Sequence, residues 1–237
     1  MQDGVTYDVL SENEFSNMAI QTTTTIPQIA SGIVTTTTQT TSSHGIQYAL
    51  PQKNEIKVVV RSLTAGEIAM ATQVFKDAID YSKVRVHAET YIPFQDEDTA
   101  VTPNGEIYFH PKRFKDDFSQ EANSEKHWLI HEMTHVWQYQ LGYPVAGRGF
   151  FRVGLSYEYD LAEDKLLKDY NMEAQGDLIA DYFALKFLKD AGAMKRNQQR
   201  YAGDLPLYEK VLRVFLSDPK DPGNQPGGIF LKRFHNE

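Results

Sequence analysis

The succession of patterns along the chain predicts an α+β fold, with strands first and most of the helices after them. Two observations carry this. Short stretches of strand character, IKVVVR at 56–61, VRVHAETYI at 84–92 and EIYFH at 106–110, occupy the first half. Long stretches with apolar residues at helical spacing dominate the second half. With 237 residues, 41% hydrophobic and 24% charged, the chain can bury one sizeable core.

Residues 1–54 stand apart as a threonine-rich arm. QTTTTIPQIASGIVTTTTQTTSS has two four-residue threonine runs and few large apolar side chains. Threonine favours extended backbone, so a flexible or extended arm is expected, or one that adds a strand to a partner or to the domain's own sheet. The domain proper is expected over 55–217. After the strand at 56–61, Thr64-Ala65-Gly66-Glu67 reads as a capping box, with Ile68, Ala71, Val74, Phe75 and Ala78 behind it at helical spacing. Pro103-Asn104-Gly105 signals the turn that precedes the strand at 106–110. A helix is expected from about Ser124 to Leu141, stopped by Gly142 and Pro144. Residues 144–168 are mixed. A second long helix is expected from about Asn171 to Asp190, and Asp204 is expected to cap a last one, LPLYEKVLRVFL. A Pro/Gly-rich tail, 218–237, closes the chain.

Bulk properties exclude several classes. A formal net charge of −8 does not favour a nucleic-acid partner. Cysteine is absent, so a metal site would have to use His, Asp and Glu. No apolar stretch approaches the ~20 residues of a membrane span. The N-terminus, MQDGVTYDVL, lacks the basic and apolar regions of a secretory signal, so export is expected to use a route without a cleaved signal.

The chemistry is concentrated in WLIHEMTHVWQYQL, residues 128–141. Residues four apart share one helix face, so His131 and His135 present two imidazoles side by side, spaced for one metal ion. Glu132, about 100° round the helix by its geometry, would reach a water beside the ion rather than the ion itself. The spacing suits zinc hydrolysis, with Glu132 as general base. Leu129, Ile130, Met133, Val136 and Trp137 make the same helix apolar enough to be interior. Two histidines and a glutamate there would cost several kcal/mol unless something satisfies them.

The extended His-Glu-x-x-His-x-x-Gly-x-x-His form would need Gly at 138 and His at 141, where the chain has Gln138 and Leu141. Glu173 is the better third ligand. In NMEAQGDLIADYF it lies four residues before Asp177, and Asp181 repeats the spacing. Asp177 would accept a hydrogen bond from a ligating histidine and fix its tautomer. The alternative is an ordinary acidic first turn that complements the helix dipole. Should Glu173 not bind, Asp160, Asp169 and His127 are the remaining candidates. His127, one turn before His131, is a candidate outer contact.

At these residues the sequence resembles the gluzincin branch of zinc metallopeptidases, the thermolysin-like arrangement, although the stretch between His135 and Glu173 is longer than in thermolysin. It is more similar still to small bacterial zincins called Vgr-related, which are associated with type VI secretion. RSLTAGEIAMATQVFKDAIDYSKVRVH, NGEIYFHP, LIHEMTHVWQ, YEY and Tyr170-x-x-Glu173 carry the resemblance over roughly residues 58–185. It does not extend to the arm or the tail.

The resemblance implies a zincin-like fold, a small mixed sheet packed on an active-site helix and a second ligand-bearing helix. It implies zinc on His131, His135 and Glu173, with Glu132 as base. Glu106, Ile107, Tyr108, Phe109 and His110 match the edge strand along which zincins lay an extended peptide. A tyrosine is expected to stabilise the oxyanion: Tyr157 or Tyr159, with Tyr170 behind. The implied function is an amide-bond hydrolase, endopeptidase or amidase, made in the bacterial cytoplasm and secreted by the type VI system. It would cut peptidoglycan peptides in the recipient periplasm, with a spike protein and an immunity protein as partners. Two rival readings are a toxin protease acting on a recipient-cell protein, and a spike-associated adaptor with a structural zinc. Glu132 argues against the adaptor, because a structural site needs no adjacent base.

Overall fold

A computed structural model describes residues 24–30, 33–39, 58–93, 95–146 and 157–228, which fall into two units divided after Val58. In the first unit, β1 (Thr24–Ala30) and β2 (Ile33–Gln39) pair antiparallel from Thr24↔Gln39 to Ala30↔Ile33. Part of the expected arm is thus an antiparallel strand pair made with itself. The rest of the arm lies outside the described residues.

The second unit holds β3 (Val58–Ser62), α1 (Ala65–Phe75), β4 (Arg85–Ala88), β5 (Ala100–Val101) and β6 (Ile107–Phe109). Ile56 and Lys57, the start of the first expected strand, lie outside the described residues. The capping box forms as read: Thr64 Oγ1 accepts from Glu67 N–H, and the Glu67 carboxylate accepts from Thr64 N–H. Glu67 is fully buried, yet Arg61 and the Phe118 N–H complete its hydrogen bonds, so its role is to tie β3, α1 and the segment before the next helix together.

These strands lie in the order β3-β4-β6-β5, with β4 antiparallel to β3 but parallel to β6, and β5 antiparallel to β6. The result is a small mixed sheet. β4 stops at Ala88, short of the expected Ile92. Gln95 folds the following loop instead, accepting from Tyr91 N–H and donating to the Thr99 and Tyr108 carbonyls. One expectation is corrected here. Ile107, Tyr108 and Phe109 form an inner strand, hydrogen-bonded on both sides, so the stretch from Glu106 to His110 is not the sheet edge. That edge is β5.

The helices cover the sheet. α2 (Asn123–Gln140) packs Trp128 edge-on against Phe109 of β6, with ring centroids 4.9 Å apart. It ends where expected: Gly142 takes φ 88°, its N–H reaching Tyr139 O and that of Tyr143 reaching Gln138 O. Leu129, Ile130, Met133, Val136 and Trp137 are all fully buried, each contributing about 1.5–3 kcal/mol. α3 (Met172–Phe183) starts at an Asn171 cap that accepts from Glu173 and Ala174 N–H, then widens into a π turn, 184–188. α4 (Leu205–Ser217) places Phe215 against Phe75 and Trp137. Asp204 is its N-cap, as expected, and acts through its backbone carbonyl rather than its side chain. Trp137 Nε1 donates to Pro219 O at 2.7 Å, and Asn224 and Gln225 are buried, so the first part of the Pro/Gly-rich tail belongs to the folded unit. Residues 229–237 lie outside the described residues. No described helix is long and apolar enough to cross a membrane.

Candidate metal centre

α2 and α3 run antiparallel and meet along a ladder of three rungs. His135 faces Glu173, His131 faces Glu173 and Asp177, and His127 faces Asp181. The i, i+4 repeat on each helix produces it, since both sequences advance one turn per rung. Gly176 lets the helices approach this closely. A Cβ there would lie 2.7 Å from Cε1 of His131, which no real contact allows.

At the top of the ladder three ligand atoms converge. His131 Nε2 and His135 Nε2 are 3.2 Å apart, and Glu173 Oε2 is 3.4 Å from the first and 3.3 Å from the second. All three residues are buried. Their tautomers follow from the partners of the other ring nitrogens. Asp177 Oδ1, 2.7 Å from His131 Nδ1, can only accept, so Nδ1 carries the proton. His135 Nδ1 is 2.8 Å from Gln138 Oε1. The Gln138 amide cannot be reversed, because its Nε2 donates to Met172 O and Gln175 Oε1, both acceptors. His135 Nδ1 therefore also carries its proton. Two Nε2 lone pairs and a carboxylate oxygen are left facing one point.

Such a point attracts positive charge. Burial works against a charged His131, but the Asp177 charge and hydrogen bond, with Glu173 and Glu132 adding to them, outweigh it and raise the pKa to about 10. Burial would raise the Glu173 pKa too, yet the adjoining His135 and His131 hold it well below the usual carboxylate range. The separations also fit an ion. Bonds of about 2.0–2.1 Å to a tetrahedral zinc put ligand atoms about 3.3 Å apart. Among the described residues, His131, His135 and Glu173 are the group that could hold a metal ion.

The other expected residues fall at different distances from this point. Glu132 is buried, and its Oε2 accepts from Thr102 Oγ1 at 2.7 Å. Thr102 directly follows the edge strand β5, so that edge and Glu132 are fixed to each other. The Tyr157 ring is 42% exposed and stacks over His131, with centroids 6.3 Å apart and planes at 26°. Tyr159 is not at the site: its buried hydroxyl donates to Asp181 Oδ2 at 2.6 Å. Tyr170 donates to Asp160 O, and burial pushes its pKa up to about 12. His127, a candidate outer contact, has its Nε2 2.7 Å from Asp181 Oδ1.

Three contributors were not legible in the sequence. Thr102 is far from the motif in the chain and had no local signal. Gln138 counted only as the residue that rules out the longer motif. Gln175, which holds Gln138 and donates to Leu167 O and Asn224 O, looked like any polar helix residue. The i, i+3 spacing of His135 and Gln138 on the motif helix is the one cue that could have shown Gln138.

The fold and the site together define a mixed α/β domain with a buried His-His-Glu group, able to hold a metal ion beside a carboxylate. No protein-family model matches the chain. It is 44% identical to a solved structure, the effector domain of Pseudomonas aeruginosa VgrG2b, over 60% of this chain and 82% of that one, with a TM-score of 0.50. It is also 44% identical over 155 residues to the type VI secretion system spike protein VgrG2b of the same organism. That match takes in 62% of this chain but only 15% of the spike protein. The chain belongs to the same family as the VgrG2b effector domain.

Proposed function

We propose that the chain is a zinc-dependent amide-bond hydrolase of the gluzincin type, a type VI secretion effector that cuts the peptides of peptidoglycan. The observation that carries this is the convergence of His131 Nε2, His135 Nε2 and Glu173 Oε2 next to a buried Glu132 held by Thr102.

In this reading His131, His135 and Glu173 hold the ion. Zinc bound there would supply Lewis-acid polarisation of the scissile carbonyl and of the attacking water. Glu132 takes the proton of that water. Thr102 occupies one of its oxygens, which aims the other and keeps the carboxylate in one rotamer. Asp177 and Gln138 hold the two imidazoles in the tautomer that leaves Nε2 to bind. Tyr157, exposed beside His131, is the candidate donor to the oxyanion. An extended peptide would add to the outer edge of β5, whose next residue, Thr102, holds the base.

The kinship with an effector domain supports delivery from the producing cytoplasm on a spike protein, action in the recipient periplasm, and an immunity protein to protect the producer. A structural zinc is disfavoured, because nothing in such a site would require a buried carboxylate beside the ligands.

The test is mass spectrometry of purified peptidoglycan after incubation with zinc-loaded protein, alongside Glu132→Gln. New peptide fragments are expected only from the unaltered chain, with zinc content equal in both and the rate at least about 10²-fold lower in the variant. Undiminished turnover in Glu132→Gln would sink the mechanism. Absence of fragments, with zinc bound and the fold intact, would overturn the peptidoglycan assignment and point to a recipient-cell protein.

A further inference from the structure

A line of buried side-chain amides leads from His135 to a part of the chain that no motif connects with the metal ligands. His135 Nδ1–H donates to Gln138 Oε1 at 2.8 Å, and Gln138 Nε2 donates to Gln175 Oε1 at 2.9 Å. Gln175 Nε2 in turn donates to Leu167 O at 2.9 Å and to Asn224 O at 3.0 Å. Both glutamines are fully buried, and Asn224 is buried with them. Leu167 stands in the stretch before α3, whereas Asn224 belongs to the Pro/Gly-rich segment that begins at 218. That segment is folded on itself and onto α2. Asn224 Nδ2 donates to Asp218 O at 2.9 Å and to Asp221 O at 3.1 Å, and Pro219 O accepts from Trp137.

The direction of this line is set at its far end. Backbone carbonyls only accept, so the Gln175 atom shared by Leu167 O and Asn224 O is its nitrogen. With both N–H groups used there, Gln175 presents its oxygen to Gln138. The Gln138 amide offers nitrogen in return, and its second N–H goes to Met172 O at 3.2 Å. Its oxygen is left for His135, which can meet it only with a proton on Nδ1. Met172 O therefore holds one Gln138 N–H and Gln175 holds the other. Reversing either amide would set oxygen against oxygen where no water can intervene.

We propose that Gln175 is a positioning residue for the metal centre, and that segment 218–224, through the Asn224 carbonyl, is part of its support. Together they fix the Gln138 amide, which keeps the His135 proton on Nδ1 and turns Nε2 to the ion. Neither Gln175 nor the segment touches ion or substrate, and no proton moves along the line. The effect on zinc rests on the metal reading above, whereas the direction of the amides does not.

The test is calorimetric titration of the metal-free protein with zinc at fixed pH, for Gln138→Met, Gln175→Met and the two combined. Methionine fills the space of glutamine with an adaptable apolar chain and replaces none of its strong hydrogen bonds. Gln175→Met should bind zinc about 10–100-fold more weakly. The combined variant should bind no more weakly than Gln138→Met, because Gln175 acts through Gln138. Gln198→Met, at a fully buried glutamine outside the line, should leave the affinity unchanged. Undiminished affinity in Gln175→Met, losses that multiply in the combined variant, or an equal loss in Gln198→Met would overturn the proposal. Nitrogen-15 spectra of the histidine rings supply a reading that needs no zinc. His135 Nδ1 should carry its proton in the unaltered protein and exchange it faster with water in Gln175→Met. Should the unaltered protein bind no zinc, the metal reading fails, while the spectra still decide the direction of the amides; an Nδ1 without a proton would overturn it. If Gln175→Met does not fold, Asn224→Ala, which frees the segment from Asp218 O and Asp221 O, must weaken zinc binding in the same direction, and unchanged affinity there would end the claim.

Discussion

The top and bottom rungs of the α2–α3 ladder are built from the same parts and do different work. His135 with Glu173 and His127 with Asp181 are both buried histidine–carboxylate pairs at the same helical register. At the bottom, Asp181 is saturated by His127, Tyr159 and Lys195, and each of those donors has found its acceptor. At the top, the Nδ1 protons of His131 and His135 point away, to Asp177 and Gln138, so the centre is left with acceptors that nothing but a proton or a metal ion can satisfy. A group that could hold a metal ion is thus distinguished from a structural pair by where the other ring nitrogens spend their protons, not by residue type or burial.

The sharpest way to break this comparison is to delete one acid from each rung. Glu173→Ala should lose zinc by far more than the about 10–100-fold expected for Asp177→Ala, with the fold retained, as read by calorimetric titration of the metal-free protein. Asp181→Ala should do the reverse. It strands His127 and Tyr159 inside the protein and is expected to cost about 3–5 kcal/mol of stability, while zinc affinity in the folded fraction stays within tenfold. Equal zinc loss from the two changes would erase the distinction.

The next effect comes from the proton. A folded-state pKa of about 10 for His131, against an ordinary 6.5, means the metal-free site holds a proton throughout the neutral range. Stability from that proton is fully present below about 6.5 and disappears as pH rises through about 10, so the metal-free domain should melt lower at pH 9.5 than at pH 6.5. Zinc must displace the same proton. Its apparent affinity should climb about tenfold per pH unit from 7 to 9, with close to one proton released per ion from this site, measurable by titration in buffers of different ionisation enthalpy. An affinity flat in pH would show that the top rung carries no proton.

Gly176→Ala gives the smallest effect and the most instructive sign. Alanine in a helix interior normally stabilises relative to glycine by about 1 kcal/mol, worth a rise of roughly 2–4 °C in a domain of this size. Here its Cβ would press on the His131 ring. A fall in Tm with weakened zinc binding is expected by thermal melting. A rise would mean that the helices can separate without penalty.

Much of this centre could be read along the chain because it lies on helices, where spacing translates directly into a shared face. His131, Glu132 and His135 belong to one motif, and Glu173, Asp177 and Asp181 repeat at one turn, so each half of the ladder was visible by itself. The strands were harder. The residues from Glu106 to His110 read as an edge strand by resemblance, but whether a strand is inner or outer depends on its neighbours, and β5 contributes only Ala100 and Val101. Two residues carry no periodic signal. Similarly, Tyr157 and Tyr159 could not be told apart by spacing, because the contacts that separate them, with His131 and with Asp181, come from other helices.

The sequence by itself determined the helix that carries the two histidines, where it begins and ends, and the acidic repeat that could answer it, since those depend on residues within a few turns of one another. Only the tertiary structure decided which acid meets which histidine, that Thr102 holds Glu132, and which tyrosine stands at the site. Those choices rest on contacts between segments 22 or more residues apart, and their geometry exists only after the helices have packed.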